Sequence, residues 1–251
     1  MISIKSKREI DIMREAAEKL RNVFFELKEL VRPGVKALEI DQKAEKVIRA
    51  QGARPAFKGY RGYPGTVCIS INEEVVHGIP SNRKIREGDI VSLDMGLVWK
   101  DFYSDSARTW PVGQVNESIL KLIEVTKNSL YAGMDQMKTG NRIGDISAAV
   151  QKCVESNGFS VVRDFVGHGI GRALHEDPQV PNFGAAGKGP KLEPGMVLAI
   201  EPMVNAGGWE VDVMQDGWTV VTRDRKLSAH YEDTIVITEN EPENLTAESK
   251  S

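Results

Sequence analysis

Apolar residues recur every three or four positions in four segments of the chain, a spacing that places them on one face of a helix. In the first segment, residues 6–30, these positions are Ile10, Met13, Ala17, Leu20, Phe24 and Leu27. Ser6 and Glu9 have the spacing of a capping box, in which each side chain accepts a hydrogen bond from the other residue's backbone. Helices are predicted for this segment and for residues 37–51, 117–137 and 144–157.

Short segments rich in β-branched residues lie between and after the helices, bounded by Gly, Pro, Asn or Asp. The predicted strands cover residues 67–71, 89–98, 102–112, 196–204, 210–213, 218–222 and 231–238. Their hairpin-like spacing favours antiparallel pairing with the helices gathered on one face, which is an α+β arrangement. The polar tail beyond residue 239 is expected to fray.

The two predicted helix pairs match each other when the chain is shifted against itself by 106 residues. The aligned residues include Gly34 with Gly140, Gly52 with Gly158 and, at a shift of 107, Asp94 with Glu201. Glycine after a helix is common, so chance alone could produce these few matches. Because both segments run helix, helix, strands in the same order, we predict one domain over 1–251 with related halves at about 6–112 and 117–238.

Charge and composition exclude several classes of protein. A net charge of −3 and a pI near 5.9 give no reason to expect a nucleic-acid partner. No apolar run approaches the ~20 residues of a membrane span, and the first residues lack the apolar segment of a secretory signal. Cys68 and Cys153 form no CxxC motif, so free thiols are expected. A cytoplasmic monomer without membrane contact is predicted.

A carboxylate interrupts the apolar strand at residues 89–98. Asp94 stands where a core residue is expected, and Asp105 follows eleven positions later. A turn centred on Trp99 and Lys100 would set the two aspartates directly opposite each other, on the same face of a hairpin. Two such charges about 4 Å apart repel by roughly 4 kcal/mol at an effective dielectric near 20. A cation between them is therefore expected.

The same pattern recurs in the second half of the chain. Glu201 in Leu-Ala-Ile-Glu-Pro and Glu232 in His-Tyr-Glu-Asp-Thr also lie in apolar strands. Taken alone, an acid of this kind is as well explained by a salt bridge, a loop cap or a solvated strand end. Four buried acids in one chain are hard to explain separately, because an ionised carboxylate in a core is costly unless it is paired or bound to metal.

The chain has four histidines: His77, His168, His175 and His230. Each alone is more often a hydrogen-bonded surface or core residue than a ligand. The glycines beside His77 and His168 favour exposure of these two rings in a cleft. No role is predicted for His230.

One imidazole and four carboxylates would form a hard, oxygen-rich site, which suits Mn, Fe(II), Co or Zn better than a cysteine-based structural zinc. Four carboxylates carry a charge of −4, which two divalent ions would balance. Two ions can share a water, lower its pKa and stabilise a tetrahedral oxyanion. The donor set therefore predicts a dinuclear hydrolase.

The local sequences of these residues resemble those of methionine aminopeptidases, of peptidase family M24. The matching motifs are Leu-Asp-Met-Gly, Tyr-Ser-Asp-Ser, Gly-His-Gly-Ile-Gly, Ile-Glu-Pro-Met and Tyr-Glu-Asp-Thr, with Gly-Tyr-Arg-Gly-Tyr-Pro, His-Gly-Ile-Pro and Asp-Gly-Trp-Thr-Val elsewhere. The resemblance covers nearly the whole chain and implies the pita-bread fold, two pseudo-symmetric α/β halves around a curved antiparallel sheet. His168 and Glu201 lie 33 positions apart, a spacing that resembles the bacterial type I enzymes.

The resemblance also implies roles for individual residues. The implied metal ligands are Asp94, Asp105, His168, Glu201 and Glu232, with Asp105 and Glu232 bridging two divalent ions. The implied catalytic residues are Glu201 as proton shuttle, His77 near the scissile amide and His175 at the oxyanion. The implied methionine pocket contains Tyr60, Tyr63, Cys68 and Trp218. The expected reaction removes methionine from nascent proteins, at or near the ribosome, when the second residue is small.

Several positions differ from the family pattern. Phe57 and Leu174 stand where many relatives have a small and an aromatic residue, which suggests an exchange of size within the pocket. Gly96 replaces a hydroxyl residue, and His230 and Asp233 replace Gln and His around Glu232. Two rival functions stay open from the sequence: an X-Pro peptidase of the same fold, and a binding module with a decayed metal site.

Overall fold

Four α-helices form where the apolar periodicity predicts them. The computed structural model describes residues 2–247, and within that range the helices are α1 (Lys7–Lys28), α2 (Ala37–Ala50), α3 (Glu117–Met134) and α4 (Ile143–Glu155). The capping box is confirmed: Ser6 N donates to Glu9 Oε2 at 2.9 Å, and Glu9 N donates to Ser6 Oγ at 3.4 Å. The four helices predicted from the apolar periodicity are therefore confirmed, with ends that differ by up to three residues.

The strands are shorter and more numerous than predicted. They are β1 (Arg54–Pro55), β2 (Cys68–Ile71), β3 (Glu74–Val76), β4 (Ile90–Trp99), β5 (Phe102–Pro111), β6 (Ser160–Val161), β7 (Gly167–Gly169), β8 (Glu176–Val180), β9 (Val197–Ile200), β10 (Met203–Asn205), β11 (Val211–Val213), β12 (Val220–Thr222), β13 (Ser228–His230), β14 (Glu232–Val236) and β15 (Glu243–Asn244). The predicted strand at 196–204 is split into β9 and β10 at Pro202, which lacks the backbone N–H of a continuous ladder.

One large antiparallel sheet organises the molecule. Its strand order is β1, β4, β5, β14, β9, β7, β8, with β2 also paired to β4 and β15 to β14. In the middle of the sheet β5, from the first half of the chain, pairs with β14, from the second half. Two smaller sheets have the orders β13, β10, β6 and β11, β12, β3.

Each helix pair packs on its own part of the large sheet. One cluster of buried apolar side chains joins α1 and α2 to β2 and β4, with Leu20 and Leu93 among its members. A second cluster joins α3 and α4 to β9 and β14, with Leu130 and Leu198 among its members. This architecture confirms the α+β class with two similar halves, whereas the residue-by-residue sequence repeat stays a prediction.

The prediction that the chain frays beyond residue 239 is wrong for residues 243–246. β15 pairs with β14, and the side chains of Leu245 and Thr246 are buried. The Thr246 hydroxyl donates to Asp233 Oδ1 at 2.7 Å, and Thr246 O accepts from Arg108 at 3.0 Å. The polar composition of this segment did not reveal that it forms hydrogen bonds with the buried residues Asp233 and Arg108. Residues 248–251 lie outside the described part of the chain.

Two further expectations concern the membrane and the thiols. Among residues 2–247, no helix has the length and apolar character needed to cross a bilayer. Cys68 and Cys153 are both free thiols, as predicted; Cys68 is buried and Cys153 is partly exposed.

Candidate metal centre

The hairpin of β4 and β5 carries Asp94 and Asp105, but in a different register from the predicted one. Asp94 pairs with Ala107, not with Asp105, because the two-residue turn is formed by Lys100 and Asp101. Both turn residues have positive φ angles, as tight hairpin turns require. The predicted pairing was therefore wrong by two residues. A slip by an even number preserves the face of each side chain, so both carboxylates still point to the same side.

Ala107 lies between two acids on neighbouring strands. It pairs with Asp94 of β4 on one side and with Glu232 of β14 on the other. Directly opposed residues share a face of the sheet, and so do residues two apart on one strand, which adds Asp105 to the group. Three buried carboxylates from three adjacent strands therefore lie on one face, and the small side chain of Ala107 leaves room between them.

The next two strands complete the cluster. Glu201 follows directly after the end of β9, and His168 lies in the centre of β7, paired with Ala199. His168 Nδ1 donates to Gly169 O at 2.9 Å, because a carbonyl can only accept. This hydrogen bond leaves the lone pair of His168 Nε2 free, at 3.6 Å from Glu201 Oε1. A neutral imidazole fixed in this way is the usual form of a histidine that binds metal.

The arrangement fits divalent metal ions. One ligand atom each from Asp105, His168 and Glu232 can be chosen so that all three lie within 4.8 Å of one another. Asp94 and Glu201 line the same cavity, whose volume is about 670 Å³. Asp94 Oδ1 and Glu232 Oε1 are buried without any hydrogen-bond partner. Buried acceptor oxygens without donors indicate a site for a cation.

Burial strongly disfavours the charged forms of these acids. It raises the pKa of Asp105 to about 7. Burial, and then repulsion from the neighbouring acids, raises the pKa of Asp94, Glu201 and Glu232 well above the usual range of a carboxyl. Burial also lowers the pKa of His168 to about 3, so its ring is neutral at pH 7. A bound cation would reverse the penalty on the carboxylates.

We expect the metal-free protein to lose stability as the pH rises towards and through about 7, a window set by the folded-state pKa of Asp105. The folded state holds protons on the raised carboxyls that the unfolded state has already released, so stability present at low pH is lost as each folded-state pKa is passed. The buried histidines have lowered pKa values and titrate mainly below this window. Each ~1 kcal/mol lost should lower Tm by about 2–4 °C.

Thermal unfolding of chelated and metal-loaded protein across this pH window checks the expectation. The loaded protein should show a much flatter pH profile, because its ligands are already deprotonated. Equal slopes for the two forms would contradict the assignment of the acids to a metal site.

The predicted pocket residues lie together at one wall of the cavity. Tyr60, Tyr63, Cys68 and Trp218 belong to a single apolar cluster. The rings of Tyr63 and Trp218 meet edge to face with their centroids 5.2 Å apart. The Tyr63 hydroxyl donates to the backbone, with Gly78 O at 2.9 Å and Val67 O at 3.2 Å. These contacts leave an apolar, aromatic surface facing the cavity.

His77 and His175 both line the same cavity. The His77 ring lies 6.3 Å from that of Trp218, and burial lowers the pKa of His77 to about 4. His175 Nδ1 lies 2.9 Å from the Tyr60 hydroxyl, and its ring lies 4.3 Å from that of His168. The structure therefore brings the two histidines of the predicted catalytic set into the cavity that the carboxylates line, with His175 beside His168.

The size exchange suggested for Phe57 and Leu174 involves a third residue. Both side chains line the cavity and share the apolar cluster. A Cβ atom at Gly96 would lie 3.2 Å from Phe57 Cε1 and 3.0 Å from Ser104 O. Such contacts are closer than ordinary van der Waals distances, so the missing side chain at Gly96 provides room for the Phe57 ring.

Two residues near the acids were not predicted as part of the site. His230 is fully buried, its ring nitrogens have no hydrogen-bond partner, and Nε2 lies 3.7 Å from Glu201 Oε2. Arg108 donates to Glu232 O at 2.6 Å and to Asp233 Oδ1 at 2.5 Å, which ties the backbone of a candidate ligand to a buried ion pair. The position of His230 two residues before Glu232 was the only sequence signal for its place.

The sequence pattern that defines metallopeptidase family M24 matches residues 11–239. The chain belongs to this family. Its members include metal-dependent peptidases, in agreement with the cluster of four carboxylates and one imidazole at the cavity. Solved structures with the same fold include the prolidase of Pyrococcus horikoshii, at a TM-score of 0.81 and 26% identity, over 99% of this chain and 64% of that one.

Within the family, the chain groups with the methionine aminopeptidases. It is 54% identical to the methionine aminopeptidase of Clostridium perfringens over 98% of this chain and 99% of that protein. It is 53% identical to methionine aminopeptidase 1 of Bacillus subtilis over 95% of this chain and 96% of that protein. The crystal structure of the Thermotoga maritima methionine aminopeptidase has a TM-score of 0.96 and 47% identity, over 98% of this chain and 99% of that one. The predicted pita-bread fold is thereby confirmed.

Proposed function

We propose that Asp94, Asp105, His168, Glu201 and Glu232 hold two divalent metal ions in a methionine aminopeptidase. The protein is a metal-dependent hydrolase that removes methionine from the amino terminus of proteins. The observation that carries the proposed ligand set is the cluster of three buried carboxylates and the partly exposed Glu201 around the free Nε2 of His168, with two carboxylate oxygens unpartnered. Bound metal would supply a water of lowered pKa as the nucleophile.

The strand order supports the proposed division of the ligands between the ions. Reading across the sheet, β4, β5, β14, the residue after β9, and β7 supply one proposed ligand each, and Asp105 and His168 are offset by two positions from their neighbours in this row. The row is Asp94, Asp105, Glu232, Glu201 and His168. On this order, the two central acids, Asp105 and Glu232, would help to hold both ions, while Asp94 would hold one ion and Glu201 and His168 the other.

Glu201 is the group proposed to move the proton. It lies beside the central acids at the edge of the cavity, with its carboxylate 3.6 Å from His168 Nε2. Its carboxylate would take a proton from the attacking water and pass it to the departing amine. This transfer needs a base on the cavity side of the ligand row, and Glu201 is partly exposed there.

His175 is the proposed donor to the oxyanion. If the Tyr60 hydroxyl donates to Nδ1 of His175, the proton of the neutral ring lies on Nε2. Burial lowers the pKa of His175, and the nearby Arg61 adds to this effect, which keeps the ring neutral. A fixed N–H donor stabilises the negative charge that develops on the carbonyl oxygen. His77 would contact the substrate near the same amide.

The apolar wall would bind the methionine side chain. Tyr63, Cys68 and Trp218 offer aromatic and sulfur surface, and favourable contacts between a thioether and aromatic rings suit methionine. A small second residue would be preferred because the site is flanked by His77 and His175. Action on nascent chains at or near the ribosome, by a cytoplasmic monomer, completes the proposal.

Metal removal and reconstitution tests the proposal directly. The chelated enzyme should lose turnover of Met-Ala-Ser, and Mn, Fe(II), Co and Zn added in turn should restore it to different extents. A Gly-Pro peptide assayed in parallel tests the alternative of an X-Pro peptidase, which the fold shared with prolidase makes worth excluding. Full activity after complete chelation, or preference for the Gly-Pro peptide, would contradict the proposal.

A further inference from the structure

The segment before α1 lies against the loop that carries His175. Lys5 in this segment is only 6% exposed, although lysine is rarely buried. Its backbone N–H donates to Gly195 O at 2.8 Å. Lys5 therefore leaves the surface and turns into the protein, where a buried ammonium needs a partner.

That partner is Glu176, the residue that follows His175. Lys5 Nζ lies 2.6 Å from Glu176 Oε2, and neither side chain is more than 15% exposed. The other oxygen, Glu176 Oε1, accepts from Arg172 N at 2.8 Å and from Ala173 N at 3.2 Å. One carboxylate thus closes the turn at residues 172–176 and fastens it to the segment before α1.

Two glycines allow this close approach. A Cβ at Gly171 would lie 2.5 Å from Lys5 Cε and 2.8 Å from Glu176 Oε1. A Cβ at Gly195 would lie 2.8 Å from Ile4 Cγ2 and 2.9 Å from Lys5 O. A side chain at Gly171 would displace the Lys5 and Glu176 side chains, and one at Gly195 would press on the backbone of the segment at Lys5. Both glycines therefore leave room for the buried Lys5.

Three residues of the turn line the cavity: Leu174, His175 and Glu176. His175 itself is exposed and has few contacts that fix its position: its Nδ1 lies 2.9 Å from the hydroxyl of the partly buried Tyr60, and its ring lies against that of His168.

After His175 the backbone enters β8, where Glu176 pairs with Gly169 of β7. Before His175 the turn is held through the Glu176 carboxylate, by way of Arg172 N and Ala173 N. A loss of the ion pair would therefore release the donor nitrogen from its place without touching any of the proposed metal ligands.

We propose that Lys5 is a positioning residue, which holds His175 in place through Glu176. The inference rests on the proposed role of His175 at the oxyanion. The Lys5–Glu176 ion pair thus connects the segment before α1 to the position of His175 in the active site. A displacement of the donor nitrogen by about 1 Å is enough to lower the rate by up to about 10²-fold.

Steady-state hydrolysis of Met-Ala-Ser by the metal-loaded full-length enzyme tests the inference. Lys5→Met removes the ammonium and keeps most of the side-chain length; Lys7→Met, at an exposed position two residues on, is the matched control. We expect kcat to fall by about 10- to 100-fold for Lys5→Met, with unchanged metal content, and to stay at the native value for Lys7→Met. A lowered Tm with native kcat at 25 °C would make Lys5 merely structural and overturn the inference.

A double-mutant cycle tells the two proposals apart. If Lys5 acts through His175, Lys5→Met should cost little further kcat in a His175→Ala background. The same fold loss in both backgrounds would overturn the role of Lys5 alone. A native kcat for the His175→Ala variant would instead overturn the role of His175. If Lys5→Met does not fold, Glu176→Gln, which keeps the acceptor for the two backbone donors, replaces it in the same cycle, with the same expected losses.

Discussion

A Glu201→Gln variant is expected to hydrolyse Met-Ala-Ser about 10²- to 10⁴-fold more slowly than the native enzyme, the range that general acid–base catalysis supplies. Glutamine has nearly the same shape but cannot accept the proton from the attacking water. Its oxygen can still face the metal site, so the loss should appear in kcat at saturating metal. Steady-state kinetics with metal content measured on the same samples would show it.

The chain offers a matched control for this variant. Glu193 is exposed and precedes a proline, as Glu201 does, so Glu193→Gln makes the same chemical change in the same local sequence. It should leave kcat unchanged. A Glu201→Gln enzyme that retained native turnover with full metal content would sink the proposed proton transfer, whatever Glu193→Gln does.

A His175→Ala variant is expected to lose about 10²-fold or more in kcat while its metal content stays native. The variant removes the N–H that would donate to the developing oxyanion. Metal content should not change, because the His175 ring is not among the five proposed ligands. Loss of metal from the variant would show instead that His175 is itself a ligand. Elemental analysis beside the kinetics separates these outcomes.

A Tyr60→Phe variant tests a milder change at the same hydrogen bond. It removes only the hydroxyl that lies 2.9 Å from His175 Nδ1, and it leaves the ring in the apolar wall. We expect a smaller loss of kcat than for His175→Ala, because the imidazole stays but its tautomer is less firmly set. An equal loss would indicate that the tyrosine has a role of its own.

The helices could be predicted from the sequence because burial imposes a period of 3.6 on residues such as Leu20 and Leu27. The hairpin register could not. Lys100 and Asp101 form a turn with positive φ, yet neither is the Gly or Asn that marks such turns. The turn was therefore predicted one residue too early, which moved the pairing by two.

Several short strands, β7 among them, were not predicted from the sequence. β7 consists of His168 between two glycines, a sequence that favours a loop by propensity. The glycines are needed there for contact: a Cβ at Gly167 would lie 2.4 Å from Ala199 O. Tertiary packing, which a single sequence does not display, makes this segment a strand.

The residues of the candidate site were predicted from two kinds of sequence signal. The acids at Asp94 and Asp105 stand out by chemistry, since charges in apolar strands require an explanation. The roles of His175 and the pocket residues came only from family resemblance. Arg108 and Lys5 were missed because an isolated basic residue in a sequence is usually a surface residue, and their buried partners are distant along the chain.

The pairing of β5 with β14 has a consequence for how the enzyme is assembled. The proposed ligands Asp94 and Asp105 lie on one side of this seam, and Glu232, Glu201 and His168 lie on the other. With these proposed ligands, neither half would hold an ion with its full ligand set, and metal binding would follow the pairing of strands more than 120 positions apart. The ions would then link the two halves across the β5–β14 pairing, and their binding free energy would add to the free energy of folding that holds the halves together.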